Sequence, residues 1–414
     1  MADRSRNSAS IRRIPSTQIL AEIEQGKPAE HNEVKIEGDL IIGYANLPVA
    51  DGKTRVRSAI KITNCQFEGK VTLGRTVFLD SVDFRGSTFH KQANFSGSVF
   101  NSVVDFGNAR FADEVSFNKC QFEDEASFNR AVFEKKAFFS KSLFKKESYF
   151  RKSVFKEDLS FNRCQFEGDS YFRECEFHKE ASFRKASYIH DADFSRSRFL
   201  GEASLESAHL LGDTFFTDAS FEEGLVLNLT KYEKLHIRWK SLTRPKYQWR
   251  YLECLERTSK LKFDDSDGET AYLLLIDNFK KLGFLEDADD CYYQYRNERR
   301  PNLPAHYRPI DWILMVSYGY GVRPIRPLAL SAGFFMAFAL FYAAFGGFFS
   351  PAGAPSIAEA ANLSLTLLLS GSKLIPDPNP AATGALYFIY TSEKLIGSFF
   401  FALLLISVGR TIIR

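Results

Sequence analysis

The chain has six cysteines and seven histidines among its 414 residues, and these residue types most often bind zinc or carry out redox chemistry. No two cysteines are spaced as Cys-x-x-Cys, and no histidine lies at a ligand spacing. The sequence also shows no recognisable Ser/His/Asp set, paired carboxylates or phosphate-binding loop. We therefore expect no catalytic residues, no metal site and no cofactor, and we predict that the protein is not an enzyme.

Four of the cysteines occupy one recurring position, two residues before a phenylalanine. They are Cys65, Cys120, Cys164 and Cys175. Elsewhere the same position holds Ala or Ser, as at Ala126. Residues i and i−2 of an extended strand face the same side, so the small residue and the Phe are both expected to point inward. A buried thiol behaves as a small apolar group, which predicts a packing role for these cysteines.

The phenylalanines themselves repeat every eleven residues, in alternating steps of five and six. The chain contains 41 Phe, and the register runs from Phe67 to Phe221 with only aliphatic residues or Tyr as substitutes. Six positions define the centre of the predicted core: Phe106, Phe117, Phe128, Phe139, Phe150 and Phe161. A coil of short strands stacked through backbone hydrogen bonds explains an inward aromatic ring at this spacing.

An eleven-residue period can also indicate a right-handed coiled coil. At about 100° per residue, however, steps of five and six place the Phe residues on two stripes about 140° apart, and not on one seam. The Ser, Asn and β-branched residues between them also have low helix propensity. The helical alternative is therefore excluded.

Units such as Ala126-Ser-Phe-Asn-Arg130 and Ala192-Asp-Phe-Ser-Arg196 resemble the pentapeptide-repeat family. The resemblance implies a right-handed quadrilateral β-helix with four units per coil, which here means about 22 residues per coil. For residues 63–229 we expect roughly seven coils, with a length on the order of 35 Å at about 4.8 Å per rung.

The flanking segments are predicted to cover the ends of this β-helix. Residues 1–62 are interpreted as a cap, with a short helix at Ser16 to Gln25 and an irregular first coil. Residues 230–322 show helical spacing and are interpreted as a helical connector. Within it, one helix is expected to end at Lys281 and a second to begin at Leu285, because Gly283 breaks the pattern between them.

Residues 323–414 are predicted to form a two-span membrane domain. The spans are placed at about 327–349 and 387–409, and the first contains no charged residue. Arg323 and Arg326 precede the first span and Arg410 follows the second. The positive-inside rule then predicts a multi-pass protein of the cell membrane, with the lipid bilayer as a partner and both termini in the cytoplasm.

Residues 357–372, between the spans, are apolar but too short to cross, which favours a re-entrant helix. With Leu363-Ser-Leu-Thr-Leu367 placed like a pore helix and Glu393-Lys-Leu-Ile-Gly397 like an inner helix, the segment resembles two-span tetrameric cation channels. The resemblance implies a homotetramer that passes inorganic cations. It also implies that Thr366, Ser370, Gly371 and Ser372 are pore or filter candidates. Gly397 is then a candidate hinge of the inner helix, and Glu393 is a candidate residue of the outer entrance.

One departure from the resemblance concerns selectivity. Potassium selectivity depends on the carbonyl groups of a TVGYG loop, and this chain has Leu369-Ser-Gly-Ser-Lys373 there. Potassium is therefore not implied as the permeant ion, and Lys373 adds a positive charge near the entrance.

Two functions from different classes fit these features. The first is an oligomeric ion channel whose cytoplasmic β-helix acts as a sensor or assembly domain. The second is a membrane-anchored β-helix scaffold that binds another protein without conducting ions. Nucleic acid is not expected as a partner, and mimicry of duplex DNA is disfavoured, because residues 64–221 hold 22 Lys and Arg against 24 Asp and Glu.

Overall fold

The computed structural model describes residues 12–245, 257–259, 261–262, 268–345, 355–370 and 385–412. It divides into two compact units, Met1–Asp287 and Ala288–Arg414. The first unit contains the β-helix, and the second contains the apolar helices.

The first unit is a β-solenoid of about ten turns, in which strands of successive coils pair in parallel. Within the Phe repeat each coil takes 22 residues, so that Phe67 pairs with Phe89 and Phe89 with Phe111. We number its faces in the order in which the chain passes through them. Face 1 contains the strands Arg13–Pro15, Lys35–Glu37, Gln66–Phe67, Thr88–Phe89, Arg110–Phe111, Val132–Phe133, Val154–Phe155, Glu176–Phe177, Arg198–Phe199 and Ser220–Phe221.

Face 2 is a second column of parallel strands. It contains Leu40–Ile41, Val71–Thr72, Ala93–Asn94, Val115–Ser116, Ala137–Phe138, Leu159–Ser160, Ala181–Ser182, Ala203–Ser204, Leu225–Val226 and Leu261–Lys262.

Faces 3 and 4 join into one 18-stranded sheet, because the long strand His209–Phe215 pairs on both. Face 3 contains Lys53–Val56, Thr76–Phe78, Val99–Phe100, Gln121–Phe122, Leu143–Phe144, Gln165–Phe166 and Ser187–Tyr188, with Val49–Ala50 antiparallel beside the first of them. Face 4 contains Ala29–Asn32, Ile60–Thr63, Val82–Asp83, Val104–Asp105, Ala126–Ser127, Ser148–Tyr149, Ser170–Tyr171 and Ala192–Asp193. Strand Lys231–His236 continues the ladder beyond His209–Phe215.

The predicted aromatic core is confirmed. All six central Phe side chains are fully buried. The rings stack from coil to coil, with centroids 5.3 Å apart for Phe106 and Phe128 and 4.9 Å apart for Phe128 and Phe150. Offset stacking adds a favourable quadrupole term to the burial of each ring, so the interior column is stabilised by geometry as well as by area.

The predicted burial of the four repeat cysteines is also confirmed. Each thiol lies close to a backbone carbonyl, as for Cys164 Sγ, which is 2.8 Å from the Phe139 oxygen. Burial raises the pKa of Cys120, Cys164 and Cys175 to about 12. The thiolate is the reactive form, so these groups are packing residues and not nucleophiles.

The seven coils expected for residues 63–229 are present, and the solenoid continues into both flanks to reach about ten turns. The additional rungs have aliphatic inward residues where the repeat has Phe, as at Ile14 and Ile36, which are both buried. The expectation that helix begins near residue 230 is wrong. Strand Lys231–His236 forms there because its backbone groups pair with those of the preceding coil.

Helices cover both ends of the solenoid. Helix α1, Ser16–Glu24, buries Ile19, Leu20 and Ile23 at the first end, as the sequence predicts. At the other end, helix α2, Gly268–Lys281, presents the buried side chain of Asn278 to the last strand. Its amide oxygen accepts from the Leu235 nitrogen and its amide nitrogen donates to the Leu235 oxygen, both at 2.9 Å. One side chain thus satisfies a backbone donor and acceptor that the end of a sheet would otherwise expose.

The predicted helical hairpin is confirmed, since α2 is followed by α3, Leu285–Arg299, with Gly283 at φ 75° between them. The Ser266-Asp-Gly-Glu269 spacing predicts a capping box that opens α2, and Ser266 lies outside the described residues. The remaining helices are α4, Arg308–Tyr318; α5, Ile325–Phe345; α6, Ile357–Ser370; and α7, Ala385–Ile412. Short 3-10 turns occupy Ile42–Tyr44, Trp239–Leu242, Arg300–Asn302 and Gly319–Gly321, and a small antiparallel pair joins Thr243–Pro245 to Arg257–Ser259.

Candidate functional site in the apolar helices

Two helices of the second unit are long and apolar enough to cross a membrane. Ile325–Phe345 has a mean hydropathy of 2.0 and Tyr387–Gly409 one of 1.6. The predicted second span coincides with Tyr387–Gly409. The first predicted span begins two residues inside α5 and extends into residues 346–349, which lie outside the described residues.

Helix α6 packs against both long helices. At the centre of this packing are the buried side chains of Tyr342, Ala360 and Leu367, surrounded by Phe338, Phe341, Leu363, Ile389 and Tyr390. With 14 residues, α6 has a length of about 21 Å at 1.5 Å per residue, less than the thickness of a hydrocarbon core of about 30 Å. The order of long, short and long apolar helices is therefore a property of the structure as well as of the sequence.

A glycine brings α6 and α7 into close contact. A Cβ atom added at Gly397 would lie 2.1 Å from the Leu368 carbonyl oxygen, so no larger residue fits without displacing α6. A Cβ atom at Gly333 in α5 would meet nothing within 4 Å. Helix α7 continues through Gly397 without interruption, and the predicted role of this residue as a hinge stays a prediction.

The side chain of Glu393 is fully buried where α5, α6 and α7 meet. The Tyr342 hydroxyl donates to Oε2 of Glu393 at 2.5 Å, and the Ser364 hydroxyl donates to Oε1 at 2.5 Å. Both carboxylate oxygens therefore have a donor, one from each neighbouring helix. A carboxylate inside an apolar helical bundle is costly unless it is satisfied in this way, and such groups are typically functional.

This position differs from the one expected for Glu393 at an outer entrance, because the side chain has no exposed surface within the chain. Sequence reasoning also missed Tyr342 and Ser364 as its partners. The available signal was the single acidic residue of α7, together with several hydroxyl residues on the two other apolar helices. Their pairing depended on helix rotation, which the apolar pattern does not determine.

The predicted filter residues are only partly described. The Thr366 hydroxyl donates to the Asn362 carbonyl at 2.6 Å, and the Ser370 hydroxyl donates to the Leu367 carbonyl at 3.0 Å. Both hydroxyls thus bond within α6. Gly371 and Ser372 lie outside the described residues, as does Lys373. In the part of the chain that the structure describes, no group of three or more His, Cys, Asp or Glu side chains is placed to hold a metal ion.

A second polar cluster lies just before α5. The buried carboxylate of Asp311 accepts hydrogen bonds from Arg296 at 2.8 Å, from Arg300 at 2.9 Å and from the Tyr320 hydroxyl at 2.6 Å. Burial alone raises the pKa of Asp311, but hydrogen bonds from Tyr320 and the two arginines outweigh it and lower the pKa below 3.8. Tyr320 adopts φ 57°, a left-handed conformation that its hydrogen bonds hold in place.

Helix α4 carries an exposed apolar surface next to this cluster. Asp311 faces inward, whereas Ile310, Trp312 and Ile313 are exposed. After the turn at Gly319–Gly321, the guanidinium groups of Arg323 and Arg326 lie over the Tyr293 ring, at 5.3 and 5.1 Å from its centroid. Basic and aromatic residues at this point are typical of a membrane–water interface.

The geometry of the first unit is that of a β-solenoid whose inward residue recurs every five or six positions. Residues 62–110, 95–143, 106–154 and 139–187 match the family model of pentapeptide repeats in nine copies. The stretch from 62 to 187 therefore consists of pentapeptide repeats. Neither the curated proteins nor the solved structures gave a match to this chain.

Proposed function

We propose that the protein is a multi-pass protein of the cell membrane whose apolar helices form a cation-conducting, channel-like module. The observation that carries the proposal is the packing of α6 between two helices of spanning length, anchored by the buried Glu393. The β-helix then serves as a cytoplasmic sensor or assembly domain, and four copies would enclose the pore.

Helix α6 supports this function through its direction and length. A helix too short to span ends inside or at the edge of the bilayer, which is tolerated only where protein or a water-filled cavity surrounds it. Its C-terminal end carries a partial negative charge, which favours a cation near Ser370. In the proposed arrangement α6 is re-entrant, and the segment after it lines the pore.

Helix α4 supports the membrane location. Its exposed Ile310, Trp312 and Ile313 would lie in the headgroup region, and Arg323 and Arg326 would mark the cytoplasmic side of the first span. With Arg410 after the second span, the same rule places both termini in the cytoplasm.

The test is cation flux into vesicles that contain the purified full-length chain, with two matched glycine variants. Gly397→Ala places a methyl group against the Leu368 carbonyl and should reduce flux about tenfold, the change expected from ~1.4 kcal/mol in the equilibrium that opens the pore. Gly333→Ala meets no neighbour and should conduct like the wild type.

Vesicles that are silent with the wild-type chain, at confirmed incorporation, would reject conduction. The membrane-anchored scaffold would then be the better account of the same fold, because its helices need only hold the β-helix at the membrane. Equal flux from the two glycine variants would mean that conduction does not depend on the contact between α6 and α7.

A further inference from the structure

One edge of the β-helix, where face 2 turns into face 3, carries a column of exposed cations. We call this column the basic edge; it consists of Arg75, Lys119, Lys141, Arg163 and Lys185. The last four lie on consecutive coils. All five adopt left-handed backbone angles, with φ between 53° and 62°.

Backbone geometry does not explain these residue types. A left-handed position favours glycine or asparagine, and Gly97 in the same column and Asn108 in the column of the opposite edge show that the turn accepts both. Like charges on neighbouring coils also repel one another. The basic edge therefore opposes the stability of an isolated chain.

Several charges elsewhere on the solenoid are paired between coils. Lys145 lies 2.6 Å from Glu123, and Lys156 lies 2.8 Å from Glu134. Within the described residues, no basic-edge side chain has a carboxylate within the 4.0 Å that defines an ion pair. The cations of this edge are thus left for a partner outside the chain.

The next edge, where face 3 turns into face 4, has the opposite charge. We call it the acidic edge; its carboxylates on the coils of the last four basic-edge residues are Glu123, Asp124, Glu125, Glu147, Glu167, Asp169 and Asp191. Lys145 and Lys146 interrupt it, and Lys145 is neutralised by Glu123. Because both edges belong to the same coils, their charges have the same spacing along the solenoid axis.

From Val77 to Ser187, face 3 between the two edges carries no outward charge. Its outward residues on six successive coils are Val77, Val99, Gln121, Leu143, Gln165 and Ser187. Beside them, Leu79 and Ile189 are exposed by 40% and 46%. An uncharged strip with charged borders has the layout of a protein–protein interface, in which charged residues are depleted at the core and retained at the rim.

We propose that face 3 pairs with face 3 of a second copy, with the two solenoid axes parallel. A two-fold axis along the solenoid places the basic edge of each copy opposite the acidic edge of the other. The surface is then self-complementary, as an isologous interface requires. An antiparallel pair would bring like edges together, so charge selects the parallel arrangement.

A second copy is the partner that these observations favour. Its charges repeat at the same interval by construction, whereas a flat anionic lipid surface would meet the acidic edge together with the basic one. The pairing deepens the assembly role proposed above and rests on it, and two pairs would supply four copies.

The first test is disulfide crosslinking of the full-length chain in detergent or vesicles. Leu143→Cys places a thiol on face 3, near the proposed two-fold axis. Val154→Cys is the matched control: it is also a partly buried, outward aliphatic position, but it lies on face 1, on the opposite side of the coil. We expect a crosslinked dimer from Leu143→Cys at least tenfold more abundant than from Val154→Cys or the parent chain.

The second test reverses the edges in the Leu143→Cys background. Changing Lys119, Lys141 and Lys185 to Glu should abolish the crosslink, and so should changing Glu125, Glu147 and Glu167 to Lys. Combining the two sets should restore it, because the complementarity is re-created with opposite sign. Glu174 already occupies an equivalent left-handed turn at φ 57°, so Glu is accepted there.

Three results would overturn the pairing. These are equal crosslinking at positions 143 and 154, reversed edges that crosslink like the parent background, and binding to anionic vesicles through the basic edge without any crosslink at 143. If the reversed chains fail to fold, loss of the Leu143→Cys crosslink on raising the salt from 0.05 to about 0.5 M, where the Debye length falls to a few Å, decides the matter. Crosslinking reports pairing and flux reports conduction, so either can fail without the other.

Discussion

The contacts that stabilise the β-helix differ from those that stabilise the apolar helices in two ways. They differ in the sequence separation of the residues that meet, and in how often the same contact is repeated. In the β-helix, Phe128 stacks on Phe106 and Phe150, each one coil away, and the neighbouring coils repeat the arrangement. In the second unit, Glu393 depends on Tyr342, 51 residues away, and on Ser364, 29 residues away. A repeat thus encodes its contacts in its period, whereas the helices depend on particular pairs that occur once.

The largest effect is expected from a charge inside the repeat. Phe128→Asp places a carboxylate without a partner in the ring column, and burial of an unpaired charge costs more than a small domain can offset. We expect loss of the cooperative β-sheet transition, measured by far-ultraviolet circular dichroism on heating.

Phe138→Asp is the control for that substitution. Phe138 lies on face 2, ten residues further along, and its side chain is only partly buried on the outer surface. The variant should unfold within a few degrees of the wild type. If the two variants behaved alike, the distinction between the inward and outward columns would be incorrect.

The same contrast explains what could be predicted from the sequence. A shift of one residue would turn every Phe outward, so the eleven-residue period alone determined the core and the burial of Cys120. The ends lack this redundancy. The strand Lys231–His236 contains no Phe, and only its pairing with the preceding coil shows that the solenoid continues.

In the apolar helices, composition identified the two helices that are long enough to cross a membrane, but not their rotation. The predicted second span has the same bounds as the apolar stretch Tyr387–Gly409 of α7. The burial of Glu393 depended on which helix face meets Tyr342, and an almost uniformly apolar helix carries no amphipathic pattern that would fix this. The filter candidates Gly371 and Ser372 lie outside the described residues and stay predictions.

An intermediate effect is expected at the three-helix junction. Glu393→Ala leaves the Tyr342 hydroxyl without its acceptor, at about 1–3 kcal/mol, and leaves the Ser364 hydroxyl with only the Phe335 carbonyl at 3.2 Å. The truncation also opens a cavity between the three helices, which adds to the loss of stability. We expect the free energy of unfolding of the helical unit to fall by about 2–5 kcal/mol, as measured by denaturant titration in detergent. Glu359→Ala removes an exposed carboxylate of α6 and should change it by less than about 1 kcal/mol. A comparable loss in both variants would show that Glu393 does not join the three helices.

The smallest of the three effects is expected at Asp311 and depends on pH. Asp311→Asn weakens three charge-assisted hydrogen bonds and should lower stability by about 1.5–3 kcal/mol at neutral pH. The pKa of Asp311 is lower in the folded chain than its ordinary value of 3.8. At acidic pH the folded chain therefore binds fewer protons at this carboxyl group than the unfolded chain does. The advantage of the wild type over the variant should therefore be complete above pH 3.8 and decline as the pH falls through the lower folded pKa. Unfolding of both chains, followed in parallel from pH 7 to pH 3, measures this difference, and an advantage that grew on acidification would mean that Asp311 is held by its neighbours in the protonated form.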